Sequence, residues 1–155
     1  MEIRRANDGD TDAILKLLSQ VLEVHAKIRP DIFVSGTTKY TRDELSAMFS
    51  DDEKPVLVAV EGGAVIGYAF CVLKKQPFST NMVPFTSMFI DDLCVDEKAR
   101  GRGAGKALFE AVKAEAKKRG CYDVTLNVWE GNDSARAFYD KQKMRVKETQ
   151  MEFIL

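Results

Sequence analysis

Ile14, Leu17, Leu18, Val21 and Leu22 fall at i, i+3, i+4, i+7 and i+8, the single apolar stripe of an amphipathic helix. Asp8, Asp10 and Thr11 precede it as candidate N-caps with helpful negative charge. Pro30 stops any continuation through His25 and Ile28. Residues 31–40 read as a loop. Thr41 followed three residues later by Glu44 is a capping box that opens a second helix through Phe49. The pattern then turns strand-like. Val56–Val60 predicts a buried strand, Glu61-Gly62-Gly63 a turn and Ala64–Leu73 the hairpin partner. Pro77 and Pro84 bracket a loop whose length suits a site mouth. Thr86–Val95 predicts a long strand. A helix from about Gly103 to Arg119 follows, with Ala104, Leu108, Ala111 and Val112 on its dry face and Lys106, Glu110, Lys113 and Lys117 on its wet face. Gly120 fits its C-terminal cap. Tyr122–Val128 predicts a strand, Asp133–Lys141 a short helix and Met144–Leu155 two strands. Glu2–Arg5 is the first edge strand. The order β-α-α-β-β-β-α-β-α-β-β predicts a single mixed α/β domain over residues 1–155. It lacks the regular alternation of a doubly wound sheet.

Composition narrows the classes. A chain of 155 residues, 45% apolar, has the size and composition of one folded domain. Its 23 basic and 24 acidic residues give a net charge of −1, with no global footprint for nucleic acid or an anionic membrane. Three cysteines without a C-x-x-C, and His25 as the sole histidine, argue against a disulfide framework and against a metal site. The longest apolar runs, such as Val56–Val60, fall far short of the roughly 20 residues of a membrane span. The N-terminus lacks a signal-peptide pattern. The expectation is a soluble cytoplasmic protein.

The most informative segment is Arg100-Gly101-Arg102-Gly103-Ala104-Gly105-Lys106, between a strand and a strong helix. Glycines allow left-handed backbone and close approach to a ligand. The first amides of a helix are unpaired and carry positive potential, and three basic side chains add to it. These features make a pyrophosphate cradle. The dinucleotide fingerprint G-x-G-x-x-G fails in both registers, ending on Lys106 or Leu108. The pattern G-x-x-x-x-G-K-[ST] fails because Ala107 follows Lys106 and Arg100 stands at the first glycine.

What is left, R-x-x-G-x-G after a strand, resembles the acyl-CoA signature of the GNAT superfamily of N-acetyltransferases. Ile90-Asp91-Asp92-Leu93-Cys94-Val95 is similar to the family's central strand. Asn132-x-Ser134-Ala135-x-x-Phe138-Tyr139 is similar to its second motif, N-x-x-[AS]-x-x-[FL]-Y. The acidic pair and Trp129…Asn132…Phe138-Tyr139 resemble the spermidine/spermine acetyltransferase group. One departure follows Tyr139: the family's E-K-x-G-F is Asp140-Lys141-Gln142-Lys143-Met144 here.

The resemblance implies a single mixed, mostly antiparallel sheet flanked by helices, with acetyl-CoA as donor and a small-molecule or peptide amine as acceptor. It assigns the pyrophosphate to residues 100–106 and the pantetheine arm to the main chain of Leu93, Cys94 and Val95. Asn132, Ser134 and Ala135 would flank that arm, although Asn132 also suits the N-cap of the last helix. Tyr139 would protonate the departing thiolate. The acidic base falls at Asp91, with Asp92 as the other candidate; strand alternation puts the two on opposite faces. His25 reads as a helix-end residue or an acceptor contact, Cys94 as packing. The competing class is a CoA-binding module without catalysis. A nucleotide-binding regulator is disfavoured by the two failed phosphate motifs. The tail ending Glu152-Phe153-Ile154-Leu155 could pair across a homodimer.

Overall fold

The computed structural model describes residues 1–76 and 79–155. Five strands form one sheet in the order β1-β2-β3-β4-β5: β1 Glu2–Arg5, β2 Val56–Glu61, β3 Ala64–Lys75, β4 Thr86–Val95 and β5 Asp123–Leu126. The first four are antiparallel neighbours, and β5 joins β4 in parallel. The helices are α1 Thr11–Ile28, α2 Arg42–Phe49, α3 Ala104–Lys118 and α4 Asp133–Lys141. A parallel partner requires a crossover, and α3 supplies it between β4 and β5. No helix among the described residues is long and apolar enough to cross a membrane.

Period-2 alternation divides the core into two layers. Leu57 and Ala59 of β2, with Ala69 and Cys71 of β3, face Leu108, Phe109 and Val112 of α3. Val56 and Val58, with Tyr68 and Phe70, face Ile14, Leu17 and Leu18 of α1 and Leu45 of α2. Each fully buried side chain of this size contributes roughly 1.5–3 kcal/mol of apolar burial. Gly62 and Gly63, both at positive φ, close the two-residue β2–β3 hairpin, as the sequence predicted. The Thr41–Glu44 capping box is present in both directions.

Several expectations need correction. Asp10 is the N-cap residue of α1, as one of the three candidates, but its side chain makes no capping hydrogen bond. Asn7 instead caps a short 3-10 turn at Asp8–Asp10, and the buried Asp10 carboxylate pairs with Arg4 at 2.8 Å. On α3, Ala111 is only half-buried, while Phe109 and Ala116 join the dry face; Gly103 is the N-cap, at the expected start of the helix. β5 stops at Leu126, short of Val128. Residues 144–155 form no strand within this chain. Pro77, one end of the predicted mouth loop, lies outside the described residues. Lys143, standing where the family has glycine, takes φ 64° and is the one described non-glycine residue at positive φ. A side chain there costs roughly 1–2 kcal/mol relative to glycine, so the turn is kept despite the substitution.

Candidate active site

The site begins with an irregularity in β4. Opposite β3, Phe70 pairs with Asp92 and the next residue, Cys71, pairs with Ile90. Asp91 is therefore an extra residue, a β-bulge. On the other side, β4 and β5 pair only from Ser87↔Asp123 to Ile90↔Leu126. The two strands thus part company at the bulge. The segment Asp91–Val95 therefore has no β5 partner on that side.

The bulge overturns the expected alternation of the two acids. Asp91 Oδ2 accepts from Tyr40 Oη at 2.6 Å, and the Tyr40 ring packs 5.4 Å from Phe70. Asp92 Oδ2 accepts from Tyr68 Oη at 2.8 Å, and the Tyr68 ring also packs on Phe70. Both carboxylates therefore lie on the α1/α2 side of the sheet. Lys39 Nζ donates to the same Asp91 oxygen at 2.7 Å.

Their electrostatics differ. Burial pushes the Asp91 carboxyl up, but hydrogen bonds from Lys39 and Tyr40 outweigh it and leave the group below its ordinary value. Burial pushes Asp92 up to about 6; the Tyr68 hydrogen bond and the Lys39 charge oppose the rise, and the Asp91 charge adds to it. Asp91 is thus a fixed anion already paired with a cation, and Asp92 can exchange a proton near neutrality. Tyr139 lies in the α3-side core, 9% exposed, its ring against Phe109 and Phe138. Burial and then the charge of Asp92 raise its phenol well above 10. The Asp92 field therefore reaches Tyr139 from the opposite layer.

The glycine-rich segment leads from β4 through a short 3-10 turn at Glu97–Ala99 into α3. Gly101 and Gly103 have φ 77° and 87°, which only glycine adopts freely. Ala107 N makes the first bond of α3, to Gly103 O, and Gly103 provides no side-chain cap. The amides of Ala104, Gly105 and Lys106 are thus free of intrahelical partners. A Cβ on Gly105 would come within 3.2 Å of the Phe138 ring, so this turn is packed directly onto α4. The arrangement fits a pyrophosphate held by backbone amides. Arg102 turns away to Glu61 at 2.7 Å, Arg100 Nε lies 3.4 Å from Val95 O, and Lys106 is exposed.

Asn132 does cap α4, accepting from Ala135 N at 3.3 Å, with Ser134 exposed beside it. A cleft of about 40 Å³ at this helix start is lined by Val128, Trp129, Glu130, Gly131, Asn132, Asp133 and Arg136. Leu93 and Val95 are half-buried, and Cys94 is buried with its thiol directed to Leu17 O at 3.7 Å. Burial pushes that thiol up to about 12, so it is inert as a nucleophile. His25 stacks near Phe33, and burial followed by the Lys39 charge lowers its pKa. Trp129 forms a wall with Phe33 and Arg29. Sequence reasoning missed Lys39, Tyr40 and Tyr68. Tyr68 could have been flagged as a polar tip in a buried strand; nothing in the spacing marks the other two.

A model of the acetyltransferase (GNAT) family matches residues 20–144. Among curated proteins, the chain is 33% identical over 113 residues to the 5-NmdU N-acetyltransferase of Pseudomonas phage PaMx11, covering 70% of this chain and 73% of the relative. It is 25% identical over 146 residues to the thialysine N-epsilon-acetyltransferase of Bos taurus, covering 88% and 79%. Among solved structures, a variant of the BH1408 protein of Bacillus halodurans superposes with a TM-score of 0.95 at 34% identity, over 100% of this chain and 99% of that one. This chain belongs to the GNAT family of acetyltransferases.

Proposed function

We propose that the protein transfers the acetyl group of acetyl-CoA to a primary alkyl amine, of a small molecule or a peptide. One observation carries this reading: at the β4 bulge an alkyl ammonium, that of Lys39, rests on Asp91 against the Tyr40 ring, beside Asp92, whose charge reaches Tyr139 across the sheet. An acceptor ammonium would take the same place. A depression of about 320 Å³ beside Tyr40 is lined by Glu44, Asp51 and Lys54, with Lys54 paired to Asp51 at 3.9 Å, which leaves Glu44 as its carboxylate without an ion pair among the described residues, toward a cationic acceptor.

When bound, acetyl-CoA supplies a thioester carbonyl open to attack by an amine. The chain's residues do the rest. Residues 100–106 hold the pyrophosphate through amides, and the main chain of Leu93, Cys94 and Val95 lies along the pantetheine, with one N–H polarising the carbonyl. Asn132 and its neighbours line the arm. Asp91 anchors the ammonium. Asp92, raised to about 6, is better matched than Asp91 to take its proton, directly or through water. Tyr139 gives a proton to sulfur.

Acetyl-CoA should raise the melting temperature, because a ligand bound only to the native state stabilises it, while ATP should do much less. A thiol-release assay over a panel of polyamines, amino acids and peptides then identifies the acceptor. Equal stabilisation by ATP would sink the cradle assignment. Stabilisation by acetyl-CoA with no amine acetylated would favour a CoA-binding module.

The same reading extends to assembly. β5 is a four-residue edge, every residue of it half-buried. Beyond it the tail bears Met151, Phe153, Ile154 and Leu155 at 85%, 87%, 72% and 111% exposure. Lys147 on Asp123 and Arg29 on Glu152 hold the tail in place. We propose that residues 145–155 pair with the free edge of β5 in a second copy, reciprocally, as a two-fold dimer. Light scattering should give a dimer for the full chain and a monomer after deletion of residues 150–155; a monomeric full chain would refute it.

A further inference from the structure

Lys39 is a primary alkyl amine that the chain itself places where the acceptor belongs. Its Nζ lies 2.7 Å from Asp91 Oδ2 and 5.6 Å from the centroid of the Tyr40 ring. Its charge is felt at Asp92 and at His25, so it stands inside the electrostatic field of the site. The side chain is 43% exposed, and it comes from the loop between α1 and α2. Such a partly exposed pair is weakly held, because solvent screens it. The ammonium can therefore leave Asp91 readily, or stay and compete with an incoming amine.

We propose that Lys39 is a tethered acceptor: it fills the amine subsite until substrate displaces it, and without substrate it is itself acetylated. This rests on the acetyl-transfer reading above. In the step, Nζ loses a proton to Asp92. Its lone pair forms the C–N bond to the acetyl carbon, the C–S bond breaks, and the sulfur takes a proton from Tyr139; the second proton of the attacking nitrogen passes to water as the amide forms, and water restores the proton of Tyr139. The products are acetyl-Lys39 and the free thiol of CoA. The amide is uncharged and no longer pairs with Asp91. Acetylation thus empties the subsite of its internal competitor, and a competing tethered group raises the apparent KM for every free amine.

The test starts with the purified full chain incubated with acetyl-CoA and no amine, followed by intact-mass measurement and peptide mapping. One acetyl group is expected, on Lys39, and none in Asp92→Asn. Lys39→Ala should take no label and lower the acceptor KM several-fold. Lys39→Arg keeps a cation on Asp91 and should retain the wild-type KM while taking no label. An unlabelled Lys39 in a preparation that acetylates free amines would overturn this inference alone. So would label spread evenly over exposed lysines such as Lys16 and Lys113, or undiminished in Asp92→Asn, because either marks unassisted chemical acetylation. A preparation that acetylates neither free amines nor Lys39 removes the acetyl-transfer reading with it.

Discussion

Tyr139→Phe is expected to cut turnover by about 10²–10⁴-fold, the usual contribution of a positioned general acid. The affinity for acetyl-CoA should barely change. The ring of Tyr139 is clamped between Phe109 and Phe138, and phenylalanine keeps that packing. Only the hydroxyl is lost. Burial and the nearby Asp92 charge hold the phenol protonated well beyond neutral pH, so the group is available as an acid and not as a base. Its value appears when negative charge develops on sulfur, which happens in the transition state and not in the bound ground state. Such an interaction shows in kcat and not in the donor Kd. Steady-state kinetics with calorimetric Kd values separate the two. A several-fold weaker Kd with unchanged kcat would make Tyr139 a packing or binding residue and leave the fold assignment intact.

Asp92→Asn should have an effect on rate of similar size, and an opposite effect on stability. In the wild type, kcat/KM should fall as pH drops through about 6, where the carboxyl takes up its proton. The variant should lose that limb and run slowly at every pH. For stability the sign runs the other way. The native carboxyl at about 6 binds its proton more tightly than the unfolded one near 3.8. Its contribution to stability is full below the unfolded value and is lost as pH rises through about 6. The asparagine has no such loss. Its melting temperature relative to wild type should therefore climb between about pH 4 and pH 7 and then level off. A slower and more stable variant at neutral pH is what a strained functional group leaves behind when removed. A flat difference across that range would show that Asp92 is not held neutral by its burial. Unchanged kcat/KM would return the proton-accepting role to Asp91, whose ammonium-binding role predicts a raised acceptor KM on replacement by asparagine.

Local pattern alone determined most of the scaffold. The stripe from Ile14 to Leu22, the capping box at Thr41 and Glu44, the Gly62-Gly63 hairpin and the glycine-rich approach to α3 depend on residues within a turn or two of one another, so their spacing is legible along the chain. The cradle was legible for the same reason, because it consists of backbone amides and left-handed glycines at a helix start. The departure at Lys143 was visible as well, and its φ of 64° shows that the fold demands that turn even without glycine. Tertiary structure decided the chemistry. A bulge exists only relative to the neighbouring strand, so no reading of Asp91-Asp92 along β4 could show that both acids point the same way. Lys39 and Tyr40 reach Asp91 from 52 and 51 residues away, out of a loop with no periodicity. The tail reads as strand, but a strand forms only where a partner edge lies beside it. The division of roles between the two acids is also tertiary. Depth of burial and the placement of one lysine set their pKa values apart, and neither is encoded in the order of two adjacent aspartates.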